Sequence, residues 1–145
     1  MPVYLQWLEE PNDQDCTDLD KLYADAPANW LEDTQVARGS DWAITKVKQG
    51  ERLALGYFND HIVCAACLVE QSDSPKQAYM YEVDQLCVRK VTRKRGVAKQ
   101  LLVRLCQWAK ENQTLLYIKD EEGHLSSLYE LGFVQYKQGW RYTPQ

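Results

Sequence analysis

One segment limits what this chain can become more than any other: Leu86–Leu102, LCVRKVTRKRGVAKQLL. An apolar, β-rich stretch leads into a basic loop (Arg89, Lys90, Arg93, Lys94, Arg95), then Gly96, then an amphipathic run to Asn112. Val97, Ala98, Leu101, Leu102, Leu105 and Ala109 recur at helical spacing, so one helix face must be buried. The order strand, loop, helix places a helix N-terminus beside the bases. Its first amides have no intrahelical partner, and the aligned peptide dipoles add about half a positive charge. Gly96 has no side chain, so a phosphate can approach its backbone, and Ala98 keeps the same wall low. The segment therefore reads as a cradle for phosphate or pyrophosphate. The surrounding bases can add charge-assisted contacts at its rim.

The remaining pattern alternates strands with helices. Val3–Glu9 reads as a strand, broken at Pro11-Asn12. Asn12, with Asp15 three residues on, predicts a capped helix to about Asp25 with Cys16, Leu19, Leu22 and Tyr23 on one face. Residues 29–49 are the least clear, with Ser40-Asp41 capping a short helix that ends at Gly50. Arg52–Phe58 and His61–Gln71 form a hairpin about Asn59-Asp60. Tyr79–Arg89 is a further strand and Gly96–Asn112 the long helix. Thr114–Lys119 is an apolar strand, Ser126–Leu131 a short helix stopped by Gly132, and Phe133–Tyr142 a last strand or strand pair. The chain has 145 residues, enough for one domain over 1–145. The expected class is α/β (α+β), with a mixed, mostly antiparallel central sheet flanked by helices.

Charge narrows the partners. The net charge is −4, which argues against a general nucleic-acid binder. Residues 1–35 nevertheless carry nine acids and one base, while residues 85–104 carry seven bases and no acid. Local fields decide where an anion docks. The N-terminal acids read either as a landing surface for a basic substrate or partner or as a solvated helix face. The longest apolar run, Ile62–Val69, is eight residues, too short for a membrane span. The start MPVYLQWLEE predicts no signal peptide, and five cysteines suit free thiols in a reducing cytoplasm.

Other chemistry finds less support. Cys64 and Cys67 form CxxC within a strand, where alternation sends them to opposite faces, and no Cys/His pair completes a metal site. His61 and His124 sit in a turn and a loop, expected to be solvated. Glu82 and Asp84 alternate on one strand face, where Glu82 is a candidate general base.

Val88, Arg93, Gly96 and Ala98 resemble the signature of the GNAT N-acetyltransferases, in which a strand and short loop precede Arg/Gln-x-x-Gly-x-Gly/Ala at a helix start. Leu128-Tyr129-Glu130-Leu131-Gly132-Phe133 resembles that family's late L-Y-x-x-G-F motif. The resemblance implies the GNAT fold and binding of acetyl-CoA or CoA. It assigns the pyrophosphate to Arg93, Lys94, Arg95, Gly96, Val97 and Ala98, and the pantetheine arm to the backbone of Leu86, Cys87 and Val88. Tyr129 would be a general acid at the coenzyme sulfur and Glu82 a base for the acceptor amine. Glu122 stands where many members carry an asparagine.

Residues 13–23, Phe58-Asn59, 88–98 and 131–140 further resemble the PanM/PanZ subfamily, which binds acetyl-CoA and promotes maturation of the aspartate 1-decarboxylase precursor in pantothenate and CoA biosynthesis. Tyr57 replaces an expected base there, and 29–50 is longer than expected. Two functions follow from the resemblance: an acetyl-CoA-dependent regulator of that decarboxylase, or an N-acetyltransferase of unknown amine substrate. A basic surface on some other α/β binding module is the third reading.

Overall fold

In the computed structural model the Asn12 side chain accepts from Asp15 N–H while the Asp15 carboxylate accepts from Asn12 N–H, closing a capping box. That box starts helix α1 (Asp13–Ala24), which buries Leu19, Leu22 and Tyr23. The structure describes residues 2–25, 39–71, 79–92 and 95–144. Strand β1 (Tyr4–Trp7) precedes α1, and helix α2 (Ser40–Lys48) follows it. Ser40 is the first helical residue rather than the cap; Gly39 holds the cap position, and Ser40 N–H donates to Asp20 Oδ1 at 2.7 Å. An α1 carboxylate thus does the work expected of the serine hydroxyl. The doubtful stretch before α2 lies largely outside the described residues.

Strands β2 (Arg52–Phe58) and β3 (His61–Glu70) form the expected hairpin. Asn59 and Asp60 both take positive φ, 49° and 65°, the conformation a two-residue turn needs without glycine. Strand β4 is Met80–Val88, helix α3 Val97–Glu111 and strand β5 Leu115–Lys119. A 3-10 helix (Ser126–Leu131) precedes strands β6 (Val134–Tyr136) and β7 (Gly139–Tyr142), so the last segment is a pair. The sheet order is β1-β2-β3-β4-β5-β7-β6, antiparallel except at β4–β5.

α3 covers one face. Leu101 and Leu105 pack with Ala54, Cys64, Leu68, Leu116, Phe133 and Trp140. On the other face Leu19 and Leu22 of α1 and Ala43 of α2 meet Leu53, Leu55, Ile62, Cys67 and Cys87. Each fully buried leucine contributes roughly 1.5–3 kcal/mol. Cys64 and Cys67 do face opposite ways, into the two layers. Burial pushes the Cys64 and Cys106 thiols up to about 12, which leaves them inert hydrophobes.

Gly56 is where β2 is most crowded. A Cβ there would collide with Cys64 Sγ and stand 2.9 Å from a Val3 methyl. Gly56→Ala should therefore cost about 1–3 kcal/mol by overpacking. The check is the urea midpoint; an unmoved midpoint would mean that β1 and β3 yield freely.

Candidate functional site

The basic loop is held by an acid from far back in the chain. After β4, Arg89 N–H donates to Val63 O and Thr92 N–H to Arg89 O, forming a 3-10 turn over Lys90–Thr92. Asp25, at the C-terminus of α1, accepts from Arg89 Nε at 3.1 Å and from Lys90 N–H at 2.8 Å. Arg89 therefore spends its charge on the fold rather than on a rim around an anion. Asp15, Asp18 and Asp20 are likewise engaged: Asp15 with Tyr57 OH, Asp18 with Ile62 N–H, and Asp20 with Ser40 N–H. A part of the N-terminal acidity is structural. Glu9, Glu10 and Asp13 stay exposed, and Glu32 and Asp33 lie outside the described residues.

Arg93 and Lys94 also lie outside the described residues; Arg95 is exposed beside Gly96. Gly96 caps α3 with φ 73°, left-handed, and donates no side chain to the helix. No acid occupies the first turn of α3, and a Cβ built on Gly96 meets nothing within 4 Å. The first amides of a 15-residue helix therefore have no capping side chain, and the space beside Gly96 is open. Val97 is 2% exposed, so only its backbone can reach a ligand, whereas Ala98 is half-buried.

β4 opens away from β5. The parallel pairing runs Met80↔Leu115, Tyr81↔Leu116, Glu82↔Tyr117 and stops. From Val83 to Val88 the edge of β4 turned toward β5 carries no strand among the described residues. A bulge marks the departure. Cys67 pairs with Asp84 and Ala65 with Cys87, so Gln85 and Leu86 together oppose Ala66. Gln85 takes φ 53°, and its buried Oε1 has no hydrogen-bond partner among the described residues. Leu86 and Val88 pack against the α3-side core. The Cys87 side chain turns the other way, Sγ donating to Leu22 O, so Cys87 can offer a ligand its backbone alone.

An uncapped helix start and a strand edge that has left its neighbour thus follow one another along the chain, the first offering backbone N–H groups and the second alternating N–H and C=O groups.

Tyr129 and Glu82 are the two proton-transfer candidates of the sequence. Tyr129 is 72% exposed, so it is no core aromatic. Its helix packs against the α3-side core through buried Leu128, and Lys99 Nζ of α3 stands 3.8 Å from Glu130 Oε2 at the surface. Asp120 gathers the loop before the 3-10 helix, accepting from His124 N–H, Leu125 N–H and Trp140 Nε1 at 2.8, 3.0 and 2.9 Å. Those bonds, the indole first, hold its carboxyl below the usual range. Glu122 sits on the surface, 3.6 Å from His124. Glu82 lies 3.9 Å from Lys119 with only 14% of its side chain exposed; burial raises its carboxyl above the ordinary value, Lys119 opposes this, and Asp84 adds to it. Glu82, Tyr117 and Arg141 form one cross-strand row on the face of α1. Arg141 stacks 4.3 Å over the Tyr136 ring, and its buried Nε has no acceptor among the described residues.

Asp25, Gln85, Asp120 and Arg141 escaped the sequence reading. Nothing in their spacing signals a role; each is placed by a turn, bulge or strand register.

The seven-stranded mixed sheet, with β4 leaving β5 ahead of α3, defines the class of protein, a fold of the acetyltransferase type. Solved structures share it. An N-acetyltransferase from Staphylococcus aureus Mu50 is similar at TM-score 0.67 and 20% identity, covering 97% of this chain and 98% of that one. An acetyltransferase from Trypanosoma brucei gives TM-score 0.65 at 19% identity, over 93% and 94%. YhhK from E. coli, solved bound to coenzyme A, gives TM-score 0.59 at 22% identity, over 99% of both chains. No curated protein matches. The sequence profile of the PanZ acetyltransferase (GNAT) domain matches residues 2–140, and the chain belongs to that family.

Proposed function

We propose that this protein binds acetyl-CoA or CoA between β4 and α3, and acts as an acetyl-CoA-dependent regulator that promotes maturation of the aspartate 1-decarboxylase precursor. The observation that carries the reading is that the PanZ match, residues 2–140, spans both the opened β4 and the uncapped α3. Gly96 to Ala98 receive the pyrophosphate on backbone N–H groups, with Arg95 adding charge. Arg93 and Lys94, outside the described residues, are proposed on the same rim. Leu86, Cys87 and Val88 pair with the pantetheine arm through their backbones, and Gln85 Oε1 accepts one amide N–H.

The anchoring of the loop by Asp25 suggests how a partner senses the ligand. A cationic loop pinned where it leaves β4 changes the field a partner meets when phosphates neutralise it. A protein touching that loop then binds with different affinity in the two states. Coupling of this kind is typically about 5–150-fold and reciprocal. Purified decarboxylase precursor should therefore bind more tightly with acetyl-CoA present, and acetyl-CoA more tightly with precursor present, by the same factor. Both should weaken with salt. Chain cleavage and complex formation, followed with and without acetyl-CoA, check this. Equal cleavage throughout, with no complex at about micromolar concentration, removes the regulatory reading.

A second reading is favoured by two observations, the exposed Tyr129 beside α3 and the raised carboxyl of Glu82. In it the protein is an N-acetyltransferase. Acetyl-CoA would supply an activated thioester; Glu82 accepts the proton of an amine acceptor, directly or through water, and Tyr129 donates a proton to the departing sulfur. The two readings share one coenzyme site and differ in what meets it. Among the described residues no helix is long and apolar enough to cross a membrane.

A further inference from the structure

β1 stands at one end of the sheet, with β2 along one edge and, among the described residues, no strand along the other. Leu8 N–H donates to Leu53 O at 3.0 Å, and the register continues as Gln6↔Leu55 and Tyr4↔Tyr57. In an antiparallel pair alternate residues bond the neighbour. Tyr4 and Gln6 therefore bond β2, while the backbones of Val3, Leu5 and Trp7 point outward. α3 serves the first of these: Gln100 Oε1 accepts from Val3 N–H at 2.9 Å, and Arg104 Nε donates to Val3 O at 3.1 Å. The two side chains stand where a neighbouring strand would. Nothing comparable reaches Leu5 or Trp7 from the described residues.

Sheet edges are usually blunted by a lysine, a proline or a bulge. Tyr4–Trp7 has none of these. Instead, hollows flank it on both faces. On the α3 face a hollow of about 340 Å³ opens between Leu5, Trp7, Arg104, Trp108 and Glu111. Trp7 and Trp108 meet there edge to face, with centroids 4.9 Å apart. On the α1 face two joined hollows of about 570 Å³ each share Gln6, Asp15 and Tyr57. Glu9, Glu10, Asp15 and Asp60 line them, with no lysine or arginine.

We propose that the outer edge of β1 is a docking strip for an extended segment of a partner protein in which basic and apolar residues alternate. Side chains of an added strand project alternately to the two faces. The basic set enters the acidic hollow on the α1 face, and the apolar set lies against Trp7 and Trp108. Outward N–H and C=O groups of Leu5 and Trp7 supply the main-chain bonds, as in strand addition generally. β2 and β3 separate this strip from β4, so it is independent of the coenzyme opening.

The probe is the blocked peptide Lys-Val-Lys-Trp-Lys-Val, added to the full chain, with amide hydrogen exchange read residue by residue. Exchange at Leu5 and Trp7 should slow with peptide, and should not slow when the peptide's bonding amides are methylated or its lysines replaced by glutamates. The surface double variant Glu9→Lys, Glu10→Lys should weaken binding by about tenfold or more, since rim charges steer and orient such contacts. Unchanged exchange at both amides at about 1 mM peptide, where even a weak site fills, overturns the proposal. Protection of the same amides that rises with protein concentration and needs no peptide also overturns it, assigning the edge to a second copy of this chain.

Discussion

Gly96→Val is expected to abolish the rise in melting temperature that acetyl-CoA gives the unaltered protein. At a hundredfold excess over the dissociation constant, ligand binding stabilises by about 2.7 kcal/mol. For a chain of this size that corresponds to a shift of roughly 5–11 °C. Two effects of the substitution must be separated. Gly96 has φ 73°, a conformation that costs a residue with a Cβ about 1–2 kcal/mol and a β-branched one more, so the variant melts lower even without ligand. The side chain also projects into the open space at the start of α3, where a Cβ now meets nothing within 4 Å. Gly96→Asn isolates the second effect, because asparagine tolerates left-handed backbone while still occupying that space. Its ligand-free melting temperature should stay near that of the parent, and its acetyl-CoA shift should vanish. A full shift in either variant would move the phosphate seat away from the N-terminus of α3.

The amphipathic run after Gly96 was legible because its period is set by one buried face, and the structure puts Leu101, Leu105 and Ala109 at zero exposure. The hairpin about Asn59-Asp60 was legible because those residue types tolerate positive φ. What stayed hidden depends on residues distant in sequence. Asp25 looks like one acid among nine until the α1 terminus meets the start of the basic loop. The 3-10 turn over Lys90–Thr92 starts where Val63 and Asp25 hold the backbones of Arg89 and Lys90, and Thr92 closes it back onto Arg89 O. The bulge at Gln85 has no glycine to announce it; it follows from how β3 and β4 fit together, and it carries β4 away from β5. Glycine at a helix start was visible, but the open edge beside it was not, since strand pairing is a property of two segments. Tyr129 shows the same limit. The motif singles out Tyr129 without saying which way its ring faces, and the structure turns it outward while Leu128 packs inward.

Tyr129→Phe is expected to lower turnover by about 10²–10⁴-fold, if the protein transfers acetyl groups, while leaving acetyl-CoA affinity nearly unchanged. The prediction is sharp because the substitution changes little else. Tyr129 is 72% exposed, so losing one oxygen removes almost no packing. The backbone beneath it is held by other groups: buried Leu128, the Gly132 N–H that donates to Tyr129 O at 3.1 Å, and the loop gathered by Asp120. A fall in rate must then report the lost phenol proton. Glu82→Gln supplies the matching test of the base. Glu82 works only as the carboxylate, and burial lifts its pKa above the ordinary value, so turnover should decline as pH falls through that raised value. In Glu82→Gln the rate should be low at every pH, with that acid limb gone. Turnover unchanged in Tyr129→Phe would make Tyr129 a surface residue of the 3-10 helix and no acid. An unaltered protein that acetylates no amine across a broad panel, yet binds acetyl-CoA, would leave the coenzyme as a signal, because the same uncapped helix and opened strand serve a regulator without any proton transfer.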